Sequence, residues 1–291
     1  MYGLFVFVLG LILGSFYNVV IFRTLSAESL LFPASHCPFC NTPIKWHHKI
    51  PVVSYIFLKG KCSYCGEKID IQYPIIELLS GGMFLLLFFK FGLSVAFMLN
   101  TVAMSLFLIL AGMDYREQKI SSKYAVFLIL SCLLRNYSDI LNSLLGAILG
   151  FIVMYLLIRL SKLAKNEFIG DGDIYIFTAI CALAGFNHIL QVGVMLLLFL
   201  TIYALPYIIK KYWLSYGFIW FSVSYILLFL NKLSVIHTGM FFTILIFVNF
   251  FCSLFFILKR LIYDIQNAQK PLIVPLSPSV FLTALCYVLF F

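Results

Sequence analysis

Long apolar runs broken by short polar connections dominate the chain from end to end. Stretches of mostly apolar residues occur at about 2–22, 74–90, 93–113, 123–137, 139–160, 173–187, 189–209, 212–230, 236–258 and 275–291. A helix needs about 20 such residues to cross the hydrocarbon core of a bilayer, so the pattern predicts an all-α, polytopic helical membrane bundle with about ten transmembrane helices. The runs at 123–137 and 173–187 are short and imply tilted, partly re-entrant or extended helices. The first run has neither a basic segment before it nor a small-x-small cleavage site after it, and it reads as a retained helix.

One connection departs from the pattern. Between Arg23 and Tyr73 lie about 50 residues of mixed, Pro- and Cys-containing sequence. The expected organisation is therefore a first helix (1–22), a small domain (23–73) and a bundle (74–291). Composition agrees, because 63% of the 291 residues are hydrophobic, more apolar surface than a soluble fold of this size could cover.

Charge sets the expected orientation. Of the 20 Lys and Arg residues, 17 fall on one side if the N-terminus faces outward, leaving Lys90, Arg135 and Lys232 on the other. By the positive-inside rule the richer side, with the 23–73 domain, is cytoplasmic. The net charge of +9 is then mostly topology, with some attraction to anionic lipid. No basic patch interleaved with aromatics argues for nucleic acid.

Within the small domain, Cys37-Pro38-Phe39-Cys40 and Cys62-Ser63-Tyr64-Cys65 are two C-x2-C pairs 21 residues apart. This is close to zinc-ribbon spacing, in which two tight turns each present two thiolates to one tetrahedral ion. The candidate metal ligands are Cys37, Cys40, Cys62 and Cys65, and binding would supply much of the folding free energy of so short a segment. Two disulfides are the alternative, disfavoured in a reducing cytoplasm. His36, His47 and His48 are spare donors, while Cys132, Cys181, Cys252 and Cys286 read as packing residues.

Only 11% of the residues are charged, so acids at the ends of apolar runs stand out. A charged side chain at a membrane helix centre costs roughly 2.5–3.5 kcal/mol on insertion scales and marks a functional candidate by default. Asp114 ends one run, and Asp171 and Asp173, in Gly170-Asp171-Gly172-Asp173, precede another. Two expected crossings separate them, which returns both to one face. Two close carboxylates that share a proton can activate water and protonate a leaving amine, the chemistry of an aspartyl protease. Gly170 and Gly172 would let an extended substrate backbone come close. Chemistry alone does not choose between Asp171 and Asp173 as the partner of Asp114, and an Asp at a helix start also serves as a cap. Two other readings are a Mg²⁺-dependent membrane phosphotransferase, with Asp171-x-Asp173 as oxygen ligands, and a proton-coupled transporter, which calls for midplane acids in broken helices. Glu77 is a candidate for a supporting role.

Taken in order, these motifs resemble one family, the bacterial type IV prepilin peptidases, or leader peptidase/N-methyltransferases. The resemblance runs through Gly10-Leu-Ile-Leu-Gly-Ser-Phe-Tyr-Asn18, His36-Cys-Pro-Phe-Cys40, Gly60-Lys-Cys-Ser-Tyr-Cys65, Gln72-Tyr-Pro-Ile-Ile-Glu77, Asp114 with Ile120, Gly170-Asp171-Gly172-Asp173 and Ile273-Val-Pro-Leu-Ser-Pro278. It implies a membrane aspartyl endopeptidase with Asp114 and Asp173 as the catalytic pair. The enzyme would sit in the bacterial inner membrane and remove the basic leader of prepilins or pseudopilins at the cytoplasmic face. It also implies N-methylation of the new N-terminus by S-adenosylmethionine in many relatives, although this chain shows no glycine-rich Rossmann fingerprint for that cofactor. Ser121 stands where the family usually has Pro, and Tyr175 where it has Lys. The family's usual eight crossings would make the runs at 212–230 and 236–258 an added hairpin.

Overall fold

The computed structural model describes residues 2–32, 34–163, 170–197, 199 and 277–290. The chain divides into two compact units, Met1–Leu196 with Pro275–Phe291, and Leu197–Val274. The second unit lies almost wholly outside the described residues, and so do the runs at 212–230 and 236–258, Cys252 and Lys232.

The first unit is all-helical, with no strand among the described residues. Its helices are α1 (Tyr2–Leu25), α2 (Val53–Phe57), α3 (Gln72–Phe91), α4 (Val95–Glu117), α5 (Ser122–Arg135), α6 (Ile140–Leu163), α7 (Asp173–Ala184), α8 (Phe186–Leu197) and α9 (Ser277–Phe290). Four stretches are long and apolar enough to cross a membrane: α1, α3, α4 and Tyr137–Arg159, which is largely α6. A fifth is available if α7 and α8, bent by 100° across Gly185, count as one span. About ten crossings are therefore not confirmed. At 14 residues, α5 rises about 21 Å, short of a hydrocarbon core of about 30 Å.

Small residues set the closest packing. A Cβ on Gly10 would lie 2.8 Å from the Gly81 Cα, and one on Gly14 2.8 Å from the Glu77 Cα, so α1 and α3 meet backbone to backbone. Gly146 and Gly150 do the same for α6, whose face is filled by Cys181 of α7. Both glycines are thus packing residues, one helical turn apart on a shared face.

Helix α7 is the central element, packed against α5, α6 and α9, and its residues from Thr178 to Ala184 are buried. The run continues apolar past its end, yet the helix breaks at Gly185, whose φ of +71° suits glycine. A break inside a membrane must satisfy the carbonyls it frees. Here Ser143 donates to Ala182, Asn136 donates to Ala182 and Leu183 at 3.0 and 2.9 Å, and the Tyr287 hydroxyl donates to Ala184 at 3.2 Å. Helices α5, α6 and α9 thereby fix the bend, and with it the height of Asp173 at the other end of α7.

Candidate active site and metal centre

The sequence places Asp114 in the last turn of α4. That helix ends because Gln118 adopts a left-handed conformation, φ 54°, while its N–H caps the Asp114 carbonyl at 2.9 Å. The side chain of Asp114 is 5% exposed. Its Oδ2 accepts a 2.9 Å hydrogen bond from the main-chain N–H of Ser277, the first residue of α9.

Asp173 begins α7, half-buried, in a turn that closes on itself. Its N–H donates to the Gly170 carbonyl at 3.0 Å, and its Oδ2 accepts from the Gly170 N–H at 3.0 Å. Asp171, two residues earlier, is exposed. The two motif stretches touch directly, since a Cβ on Gly172 would lie 2.9 Å from the Ile120 Cβ. Ile120 follows Asp114 in the loop between α4 and α5, so this contact holds the turn carrying Asp173 against the end of the helix carrying Asp114.

The contact also gives Gly172 a packing reason that the sequence did not reveal. Gly170 has only the Asp173 carboxylate within ordinary contact of its missing side chain. Glu77, buried in α3, accepts a 2.7 Å hydrogen bond from the N–H of Val52, whose φ of +61° is strained for a β-branched residue. It therefore anchors the segment before α3 to the bundle. Arg116 leans on the Phe22 ring at 3.9 Å and pairs with Asp70 at 3.3 Å, tying the end of that segment to the last turn of α4.

The four cysteines form a second centre. Cys37, Cys40, Cys62 and Cys65 are reduced, and their sulfurs all lie within 4.8 Å of one another. Tetrahedral zinc with bonds of about 2.3 Å requires sulfurs about 3.8 Å apart, and the Cys37 and Cys65 sulfurs are 3.9 Å apart. The donor set and its spacing fit zinc. Both pairs sit on the same kind of turn. In the first, the Asn41 N–H donates to Cys37 and the Cys37 N–H to Thr42; in the second, the Gly66 N–H donates to Cys62 and the Cys62 N–H to Glu67. The fourth residue after each leading Cys has positive φ, 55° at Asn41 and 74° at Gly66, residue types that tolerate it. Hydrogen bonds from the Thr42 side chain and main chain hold the Cys40 thiol down, to about 6, whereas at Cys65 the hydrogen bond from the Glu67 main chain is outweighed by burial and the other sulfurs, which push that thiol up to about 12. His36 and His48 turn instead to the Ala34 carbonyl and the Ser63 hydroxyl. Cys132 and Cys181 are buried and Cys286 half-buried, and none of them joins the cluster.

An open groove of about 480 Å³ lies between α1 and Trp46–Pro51 and includes neither aspartate. Both candidate aspartates lie instead where α4, α7 and α9 adjoin.

Residues 8–91 match the family model described as Bacterial Peptidase A24 N-terminal domain. The chain is 35% identical over 204 residues to a prepilin leader peptidase/N-methyltransferase of Klebsiella pneumoniae, across 66% of this chain and 89% of the relative. The chain belongs to the prepilin leader peptidase/N-methyltransferase family. Other members with that name are similar to it. One from Bacillus subtilis is 32% identical over 60% of this chain and 70% of its own length. One from Myxococcus xanthus is 31% identical over 66% of this chain, and there the match spans 59% of the relative. No solved structure matches the chain significantly. The four-cysteine segment lies wholly within the matched residues 8–91.

Proposed function

We propose that this protein is a membrane aspartyl endopeptidase that removes the basic leader of prepilin-like substrates, with Asp114 and Asp173 as the catalytic pair. The observation that carries the reading is the junction of Ile120 with Gly172, which holds the two aspartate-bearing stretches together in a chain whose relatives are named prepilin leader peptidases. Close carboxylates cannot both ionise, so one serves as base toward water while the other, protonated, donates to the departing amine. Asp173 rather than Asp171 is the partner because Asp171 is exposed, while Asp173 is half-buried in the turn that the Ile120–Gly172 contact holds against the end of α4. Gly170, beside the Asp173 carboxylate, keeps a side chain away from the approach of a substrate backbone, whereas the corresponding space at Gly172 is filled by Ile120.

The same reading divides the chain into a first helix (1–22), a four-cysteine domain (23–73) and the peptidase bundle (74–291). The cysteine domain holds structural zinc through Cys37, Cys40, Cys62 and Cys65. The excess of Lys and Arg around this domain and around the aspartates supports a cytoplasmic-face location for both at the inner membrane. A substrate helix would then lie in the bilayer with its leader beside the pair. N-methylation by S-adenosylmethionine belongs to the proposal through the relatives' name. The test is to incubate membranes carrying the protein with a prepilin-type substrate and weigh the product. Loss of the leader supports the peptidase, and a further methyl with added S-adenosylmethionine supports the second activity. A substrate that stays intact overturns the proposal.

A further inference from the structure

The proposed pair has a third neighbour that neither aspartate motif contains. Ser277, 163 positions beyond Asp114, donates its main-chain N–H to Asp114 Oδ2 at 2.9 Å in a buried setting. It opens α9, a 14-residue helix packed along α4 and α7, the two helices that carry the aspartates. The first N–H groups of a helix have no acceptor within it, and the positive end of the helix dipole favours a carboxylate there. Two further observations mark this helix start as more than a cap. Ser277 is 2% exposed and Ser279 fully buried, and both hydroxyls lack a hydrogen-bond partner within the protein. Buried hydroxyls are normally satisfied, so two without a partner among the described residues, one on the residue that donates to Asp114, mark this helix start as polar rather than plainly packed.

We propose that Ser277 is a positioning residue for the aspartyl pair: its main-chain N–H holds Asp114 Oδ2 and so fixes the plane of that carboxylate relative to Asp173. This rests on the peptidase reading above. Asp114 stands buried in the last turn of α4, and reaction geometry tolerates little misplacement.

The N–H is removed by Ser277→Pro, which the first turn of a helix accommodates, and independently by replacing Ser277 with its α-hydroxy acid analogue, which puts an ester oxygen in place of the N–H. Ser277→Ala keeps the donor and serves as the control. A hydrogen bond to a charged group predicts a fall in kcat of about 10- to 100-fold in both N–H-deleted proteins, with KM within about twofold of wild type and a much smaller change in Ser277→Ala. The ester protein decides the matter if the proline variant fails to fold. Wild-type kcat in the ester protein, or a loss carried by KM, overturns the positioning role. Asp114→Asn and Asp173→Asn in the same assay separate the two claims. If they still cleave, the peptidase reading has failed; if they do not and the ester protein is fully active, only the role of Ser277 has.

Discussion

The stretches carrying two aspartates 59 positions apart are held together by one isoleucine and one glycine. Ile120 occupies the space a side chain on Gly172 would need. Gly172→Ala therefore forces the turn and the α4–α5 loop apart, a steric cost of about 1–3 kcal/mol. The account expects lower thermal stability and slower cleavage for that variant, with both partly restored by adding Ile120→Ala. A double-mutant cycle with no coupling would mean the two residues do not bear on each other. Asp171 and Asp173 separate at the same scale. Asp171→Asn should retain most of the cleavage rate, while Asp173→Asn should lose nearly all of it, and rates measured on equal amounts of protein in the reverse order would reassign the pair. The sequence put both aspartates at one membrane face by counting runs, and glycine next to aspartate pointed to a close approach. It did not show what approaches Gly172, because Ile120 lies 52 positions away and looks like any other apolar residue. Ser277 lies in the Ile273–Pro278 stretch that the sequence did single out, but its contact with Asp114 was not legible, since a main-chain donor leaves no mark in composition.

Among the elements, the cysteine turns were the most legible. The C-x2-C spacing named the ligands, and Asn41 and Gly66 supply the positive φ that each turn requires. Cys37→Ser or Cys62→Ser removes one thiolate of four. The expected result is a fall from one zinc per chain to well below one, measured by metal analysis of purified protein, with increased proteolysis between residues 26 and 71. Unchanged zinc in either variant would contradict the assignment. The break between α7 and α8 was less legible. Apolar residues continue on both sides of Gly185, and the Asn136, Ser143 and Tyr287 side chains that satisfy the freed carbonyls come from three other helices. Hydropathy reports the solvent a segment prefers and says little about where it bends. For α5, the expected run was close to the observed helix but too short for a simple crossing.

For the whole molecule, the apolar pattern sets the class and charge bias carries the proposed orientation, while the number of crossings exceeds what either can fix. Four helices among the described residues meet the length and hydropathy of a span, with a fifth from the bent pair. The orientation is open to direct test. An epitope inserted at Ser138, in the connection after α5, should be reached by antibody on cells whose outer barriers are removed but whose inner membrane is intact. One inserted at Ser29 should be reached only after the inner membrane is permeabilised, and the opposite pattern would invert the topology. The central claim is that Asp114 and Asp173 together perform peptide hydrolysis. Its most direct test is cleavage of a prepilin-type substrate by wild type, Asp114→Asn and Asp173→Asn at matched levels in membranes. The account predicts leader removal by wild type and a loss of about 10²-fold or more in each variant; leader removal by either variant at the wild-type rate would contradict it.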